Sequence, residues 1–195
     1  MARSPEASRE AAQVGRVCPG EGPAIFTVGH STRPIGAMLD MLRANHIDLL
    51  VDVRTVPRSR HNPQYSREAL VPALSEAGIE YQHEAELGGL RRPRPDSING
   101  AWHNESFRGF ADHMRTPQFN RALDELLVAS GERRIALLCA EGNPFRCHRS
   151  LIADAILARG LFSCEIAANG RPKPHQLTSF ARIENQLVKY PPSAP

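Results

Sequence analysis

Hydrophobic and polar positions follow two different periodicities between residues 24 and 190. Short apolar runs bounded by polar, Gly or Pro residues are typical of buried β-strands. Between these runs, apolar residues recur three and four positions apart, as they do on one face of an α-helix. The predicted strands are Ala24–Gly29, Asp48–Arg54, Ile79–Gln82, Arg134–Cys139 and Phe162–Ala167.

The predicted helices lie between and after these strands. Pro34 and Ser66 suit the start of a helix, and Gly78 and Gly160 suit the end of one. The predicted helices cover 34–42, 66–77, Glu105–Arg115, Pro117–Ser130, Ser150–Arg159 and a terminal helix at Leu177–Val188.

This alternation of strands and helices predicts an α/β fold. A chain of 195 residues suits one domain. We expect a single domain over residues 23–190, with a mostly parallel sheet and helices on both faces. Residues 1–22 and 191–195 are rich in small, charged or Pro residues, and we expect a disordered N-terminal tail and a short C-terminal tail.

Composition narrows the class of protein. The hydrophobic share of 41% and charged share of 23% are ordinary for a soluble globular protein. The longest apolar runs, Leu49–Val53 and Ile135–Ala140, are too short to cross a membrane. We therefore expect a cytoplasmic protein without a membrane partner. Its four cysteines are then expected to be free thiols, because disulfides are rare in reducing compartments.

Three polar motifs follow predicted strands. The first is Gly29–Thr32, the second is Asp52–Arg60, and the third is the loop Cys139–Arg149. Because the carboxyl ends of parallel strands meet at one edge of a sheet, we expect the three motifs to converge there. This convergence is the main evidence in the sequence for a functional site.

The third motif has the most varied chemistry. Cys139 ends a strand, and Cys147 and His148 stand near the start of a helix, where backbone N–H groups favour anions and thiolates. The competing interpretations are structural: Cys139 as a core residue, Cys147 as a helix cap, and Asp52 with Arg54 as an ion pair. We predict no metal site, because no paired Cys-x-x-Cys motif is present.

The quoted motifs resemble a known family, the bacterial and archaeal domain of unknown function numbered 488. The similar segments cover about residues 24–182 and include TVGHST at 27–32, LLVDVRTVPRSR at 49–60, GIEYQH at 78–83, LGGLR at 87–91 and ALLCAEGNPFRCHRSLIADAILARG at 136–160. His175 also stands where the family tends to have histidine. The resemblance implies an α/β fold and a polar cluster, and it implies no particular reaction. The implied cluster consists of Gly29, His30, Ser31, Asp52, Arg54, Cys139, Glu141, Cys147, His148 and Arg149.

Together, the motifs and the resemblance define candidate site residues with two kinds of role. The candidate catalytic residues are His30, Asp52, Cys139, Glu141, Cys147 and His148. The candidate anion-binding residues are Gly29, Ser31, Arg54, Ser59, Arg60, Gly88, Gly89, Arg146 and Arg149.

Three functions are compatible with these residues. The first is an enzyme, a hydrolase or transferase, acting on a phosphorylated or nucleotide-like small molecule, with His30 or His148 as acid or base. The second is cysteine-based sulfur transfer or redox chemistry. The third is a non-catalytic nucleic-acid-binding or regulatory module, for which the net charge of +3 is permissive. The pattern identifies no cofactor.

Overall fold

The computed structural model describes residues 18–192. The described part of the chain contains eight strands, β1 to β8. Their bounds are β1 Ala24–Gly29, β2 Leu49–Asp52, β3 Glu80–His83, β4 Arg134–Cys139, β5 Ser163–Ile166, β6 Pro172–Pro174, β7 Arg182–Glu184 and β8 Leu187–Lys189. Within the same range there are five α-helices. Their bounds are α1 Ile35–Ala44, α2 Arg67–Glu76, α3 Glu105–His113, α4 Pro117–Ala129 and α5 Arg149–Ala158.

Six of the strands form one sheet in the order β3-β2-β4-β1-β5-β6. The first five are mutually parallel, and β6 pairs antiparallel with β5. The mostly parallel α/β fold predicted from the sequence is therefore confirmed. Strand β4 lies between β2 and β1 and all its residues are buried, which explains why its sequence is apolar at almost every position.

Helices cover both faces of the sheet, as predicted. On one face, Met38 and Leu42 of α1 and Leu70 and Leu74 of α2 pack with Phe26 and other strand residues. On the opposite face, α3, α4 and α5 form a second core with alternate strand residues. The two cores arise because side chains along a strand point alternately to the two faces.

At the centre of the sheet, between β4 and β1, the chain connections change from one face of the sheet to the other, which makes this a topological switch point. The neighbouring strands β4 and β1 are followed by helices that pack in different cores, α5 in one and α1 in the other. The loops after the two strands therefore diverge and leave a crevice outside their carboxyl ends. In open α/β sheets such a crevice is the usual place for a ligand.

The predicted terminal helix at Leu177–Val188 is wrong. Strands β7 and β8 form an antiparallel hairpin there. The two residues of its turn, Asn185 and Gln186, have φ values of 51° and 63°. A two-residue turn with positive φ at both positions matches the twist of paired strands and cannot continue a helix. Strand β6 was also absent from the prediction.

The C-terminal segment is fastened to α5 by one carboxylate. Asp154 is fully buried, and its two oxygens accept hydrogen bonds from His175 Nε2 at 2.7 Å and Tyr190 Oη at 2.8 Å. The backbone N–H of Thr178 donates to the same carboxylate at 3.1 Å. These contacts secure the segment that the apolar pattern had suggested would form a helix.

The expectation of four free thiols is wrong for two of them. Cys18 and Cys164 form a disulfide with a Cα–Cα distance of 6.0 Å, whereas Cys139 and Cys147 are free. The partners are 146 residues apart in sequence, so only the folded chain brings them together. Of the two predicted tails, residues 1–17 and 193–195 lie outside the described residues.

No helix in the described range combines the length and the apolar character that a membrane crossing would need.

Candidate functional site

A cleft of about 730 Å³ lies outside the carboxyl ends of β1, β2 and β4. It is lined by residues from all three predicted motifs, by Gly89 and Leu90 after β3, and by Ser106 and Phe107 of α3. Predicted site residues in its wall are His30, Ser31, Arg54, Ser59, Gly89, Cys139, Glu141, Arg146, Cys147 and His148. The remaining predicted site residues, Gly29, Asp52, Arg60, Gly88 and Arg149, are not in the wall.

Asp52 lies beneath the cleft and orients Arg54. The Arg54 Nε donates to Asp52 Oδ1 at 2.8 Å, and Nη2 donates to Oδ2 at 2.5 Å. The Arg54 backbone N–H and Tyr81 Oη add two more hydrogen bonds to this carboxylate, at 3.1 and 3.0 Å. With side-chain exposures of 5% for Arg54 and 0% for Asp52, this is a buried bidentate pair. It confirms the ion-pair interpretation, and it leaves Asp52 no free carboxylate oxygen for proton transfer in the cleft.

His30 is buried, and both of its ring nitrogens face protein groups. Its ring stacks on the Tyr65 ring at 4.1 Å, and Nδ1 donates to the Ser31 carbonyl at 2.8 Å. Because a carbonyl only accepts, Nε2 is left as the acceptor that faces Arg54 Nη1 at 3.5 Å. Burial lowers the pKa of His30, and the nearby Arg54 charge lowers it further against the opposing hydrogen bond to Ser31. The side chain is therefore neutral and suited to positioning Arg54.

The residues after His30 have an unusual backbone. Ser31 has a φ of 49°, in the left-handed region that residues other than Gly rarely adopt. Its N–H donates to the Ala140 carbonyl at 2.9 Å, which joins the loop after β1 to the loop after β4. Backbone strain of this kind is often found at functional sites.

Two free thiols and an imidazole meet at the floor of the cleft. Cys139 Sγ lies 3.9 Å from His148 Nδ1, and Cys147 Sγ lies 3.8 Å from the same atom. All three atoms are within 4.8 Å of one another. Cys139 ends β4, while Cys147 and His148 directly precede α5, so the strand–loop–helix unit alone assembles the cluster.

The two thiols differ in acidity because they contact each other. Hydrogen bonding in this contact, with smaller contributions from His148 and the Glu141 N–H, holds the pKa of Cys139 well below its usual range despite burial. The same contact raises the pKa of Cys147, and burial raises it further. Of the two sulfur atoms, Cys139 therefore carries the greater thiolate character.

Arg149 lies outside the wall of the cleft. It is fully buried, and its guanidinium donates to the carbonyl groups of Glu141 and Gly142 and pairs with Glu165 at 3.4 Å. Gly29 makes room for it, since a Cβ at Gly29 would lie 2.6 Å from Arg149 Nη1 and 2.0 Å from the Glu141 oxygen. Gly29 and Arg149, which the sequence predicted to bind an anion, thus support the loop after β4.

Two adjacent glycines bring the segment after β3 against the site. A Cβ on Gly89 would lie 2.4 Å from His148 Nδ1 and 2.7 Å from Cγ, so the Gly89 backbone rests on the face of the imidazole ring. A Cβ on Gly88 would meet Thr55 Oγ1 at 2.6 Å. Neither position tolerates a larger residue without movement of its neighbour, and Gly88 lies behind the wall of the cleft.

Several residues of the site were not predicted. Arg58 and Phe107 line the cleft, and Phe110 packs edge-on against the His148 ring at 4.9 Å. Tyr65 supports His30 from beneath. Arg58 belongs to the second motif, beside Ser59 and Arg60, and could have been predicted with them. The aromatic residues could not, because their neighbours in sequence are those of ordinary core residues.

The segment 86–104 is fastened to the body of the protein on the face opposite α1. Asp112 of α3 accepts hydrogen bonds from Ser97 Oγ at 2.7 Å, Asn99 Nδ2 at 2.8 Å and the Arg94 N–H at 2.8 Å. Within this segment, Gly89 and Leu90 reach the cleft.

Comparison with known proteins identifies the family. The model of the family described as "Domain of unknown function DUF488" matches residues 34–156, well over half of the chain. No curated protein and no solved structure matches the chain. The matched segment contains α1 to α4, β2 to β4, most of α5, and the Cys139, Cys147 and His148 cluster. The chain therefore belongs to the DUF488 family.

Proposed function

We propose that this protein is an enzyme, a hydrolase or transferase, that acts on a phosphorylated or nucleotide-like small molecule bound in the cleft. One observation carries this proposal. Arg58 and Arg146 line the same cleft from two separate loops, and no carboxylate of the described residues lies within ion-pair distance of either. Two uncompensated guanidinium groups around one cavity favour a ligand with phosphate oxygens.

The rest of the wall suits the remainder of such a substrate. Val56, Leu90 and Phe107 add apolar surface beside the arginines. A nucleoside or another partly apolar group would pack on this surface while its phosphate contacts the guanidinium groups. The buried and oriented Arg54 adds a third positive charge at the floor, although Asp52 balances much of it.

Glu141 is the carboxylate best placed for acid–base chemistry. It is exposed in the wall of the cleft, and its Oε1 accepts from the Asn143 N–H at 3.2 Å. In this proposal Glu141 transfers the proton, and His30 positions Arg54. The earlier hypothesis of His30 as acid or base is weaker because both of its nitrogens face protein groups.

Cysteine-based sulfur transfer or redox chemistry is the second candidate function. The adjacency of two free thiols in the wall of the same cleft favours it. A nucleic-acid-binding or regulatory role stays a prediction, and its test is a steep loss of affinity with added salt.

Binding of two probes, adenosine monophosphate and inorganic phosphate, tests the first proposal by calorimetry. We expect Arg146→Gln to weaken binding of both probes by roughly 10- to 100-fold, which corresponds to the loss of one charge-assisted hydrogen bond. Arg121→Gln is the matched control, because Arg121 is also exposed but lies on α4 outside the cleft.

Turnover is followed by phosphorus NMR on a mixture of phosphorylated small molecules. The proposal predicts that one or more signals convert with wild-type protein and persist with folded Glu141→Gln. Equal probe affinity in wild type and Arg146→Gln would contradict the anion site. Conversion that is unchanged in Glu141→Gln would contradict the role of that carboxylate.

A cytoplasmic location remains part of the proposal. The Cys18–Cys164 disulfide weighs against it, because disulfides accumulate mainly in oxidising compartments. Trapping thiols at the moment of cell lysis, followed by mass spectrometry, decides the point: a reduced pair supports the cytoplasm, and an oxidised pair contradicts it.

A further inference from the structure

The cluster of Cys139, Cys147 and His148 has the donor set and the spacing of a metal site. In tetrahedral zinc sites, Zn–S is about 2.3 Å and Zn–N about 2.0–2.1 Å, which separates sulfur from nitrogen by about 3.6 Å. The two sulfur atoms lie 3.9 and 3.8 Å from His148 Nδ1. Shifts of a few tenths of an ångström would therefore bring each sulfur to this separation from Nδ1, and the two sulfur atoms lie within 4.8 Å of each other.

The hydrogen bonding of His148 selects the neutral tautomer that a metal ligand requires. His148 Nε2 lies 3.1 Å from the carbonyl oxygen of Val53, which only accepts hydrogen bonds. The ring proton of neutral His148 is therefore on Nε2, and the lone pair of Nδ1 is directed to the side where the sulfur atoms lie. A histidine that ligates a metal typically donates its other N–H to a carbonyl or carboxylate in this way.

The surroundings of the ring hold this geometry. Phe110 packs edge-on against the imidazole, and the Gly89 backbone covers its face. Because a Cβ on Gly89 would approach Nδ1, Cγ and Cε1 alike, this contact lies above the plane of the ring. It leaves the in-plane lone pair of Nδ1 open to the two sulfur atoms.

We propose that Cys139, Cys147 and His148 bind a Zn²⁺ ion whose fourth coordination position faces the cleft. Two thiolates neutralise the charge of the ion, and one imidazole completes a soft donor set. Within residues 18–192, no fourth His, Cys, Asp or Glu joins this group. Three protein ligands with an open position are the pattern of a catalytic zinc site, whereas structural sites have four.

This site goes beyond the proposed function and does not depend on it. The three ligands line the same cleft as Arg58 and Arg146. The open position is therefore available to a water molecule or to an oxygen of an anion held by the arginines. The proposal departs from the prediction of no metal, which rested on the absence of a Cys-x-x-Cys pair. Here the three ligands come from the end of a strand and the start of a helix.

Titration of the reduced, metal-free full-length protein with Co²⁺ tests the site. Cobalt bound by two thiolates in tetrahedral geometry gives sulfur-to-metal charge transfer in the near ultraviolet and visible d–d bands. We expect saturation at one Co²⁺ per chain and displacement by one Zn²⁺. Cys147→Ser and His148→Gln should each weaken Zn²⁺ binding by more than about 100-fold, beyond the 10- to 100-fold effect of outer contacts.

The matched control is a double variant, Cys18→Ser with Cys164→Ser. It removes the other two cysteines of the chain and must retain the cobalt spectrum. Absence of charge transfer in reduced wild-type protein would overturn the proposal. Equal affinity in folded Cys147→Ser would overturn it as well.

A second measurement needs no ligand variant and so does not depend on how the variants fold. Zn²⁺ should protect both free thiols of wild-type protein from alkylation, and chelator should remove that protection. Alkylation at the same rate with and without Zn²⁺ would contradict the site. Failure of the metal site would leave the Arg146-dependent binding of phosphate intact, and failure of phosphate binding would leave the cobalt spectrum intact, so the two proposals fail separately.

Discussion

Asp52 and Arg54 hold each other in fixed positions without any ligand. Their bidentate pair is buried, and the carboxylate also accepts from Tyr81. The sequence showed that the two side chains share one face of a strand end, and it left open whether they form an ion pair or a site. The structure shows that they form a buried ion pair, and this pair fixes the orientation of Arg54.

We expect Asp52→Ala to lower the free energy of unfolding by about 3–5 kcal/mol, because it leaves the Arg54 guanidinium buried without its partner. Urea unfolding followed by circular dichroism measures the change. The control is Asp40→Ala, whose exposed partner Arg43 lies 3.8 Å away and whose loss should cost less than about 1 kcal/mol. Similar costs for the two substitutions would show that the Asp52 pair is not buried in solution.

At the scale of elements, the packing of a helix depends on where its glycines lie. Gly36 of α1 and Gly109 of α3 are both helical, and the sequence gives no reason to treat them differently. In the fold, nothing lies within 4 Å of a Cβ at Gly36, whereas a Cβ at Gly109 would be 2.4 Å from the Arg91 carbonyl oxygen. Gly109 therefore lets the segment 86–104 approach α3.

The two glycines should respond to Ala in opposite directions. Gly36→Ala should stabilise the protein by about 0.4–1 kcal/mol, since it reduces the freedom of the unfolded chain without a clash. Gly109→Ala should destabilise it by about 1–3 kcal/mol, because backbone atoms must move. Thermal unfolding of the two variants side by side tests the packing, and an unchanged or raised midpoint for Gly109→Ala would contradict it.

At the scale of the whole molecule, the Cys18–Cys164 disulfide links the segment that precedes β1 with strand β5, 146 residues later in the chain. Arg134 reinforces the same junction: Nη1 donates to the Gly22 carbonyl at 2.7 Å and Nη2 to the Pro19 carbonyl at 3.3 Å. Residues 18–22 are thus attached to the domain by a covalent bond and by hydrogen bonds. A cross-link that closes a loop of this length constrains the unfolded chain strongly.

Reduction of Cys18–Cys164 should lower stability by about 2–5 kcal/mol, which for a chain of this size lowers the melting temperature by on the order of 10 °C. Differential scanning calorimetry with and without dithiothreitol measures the shift. Cys18→Ser provides the control, because reductant should not lower its melting temperature further. The same midpoint for oxidised and reduced wild-type protein would contradict a stabilising role.

The sequence by itself determined the class of fold and the edge of the sheet at which the candidate site lies. The apolar pattern located β1, β2, β4 and most helices to within a few residues, because buried parallel strands read as continuous apolar runs. The order of motifs along the chain then placed His30, Arg54 and Cys139 at one sheet edge. The same local logic failed at Leu177–Val188, where two residues with positive φ make a hairpin and Asp154 anchors the segment from α5.

Only the tertiary structure decided what each polar residue contacts. Arg146 and Arg149 are three positions apart and chemically identical, yet one lines the cleft and the other is buried against Glu165 and two carbonyl groups. The pairing of Cys18 with Cys164 and the approach of Gly89 to His148 likewise join residues far apart in sequence. Such contacts depend on strand order and packing, and a local pattern of residue types does not encode either.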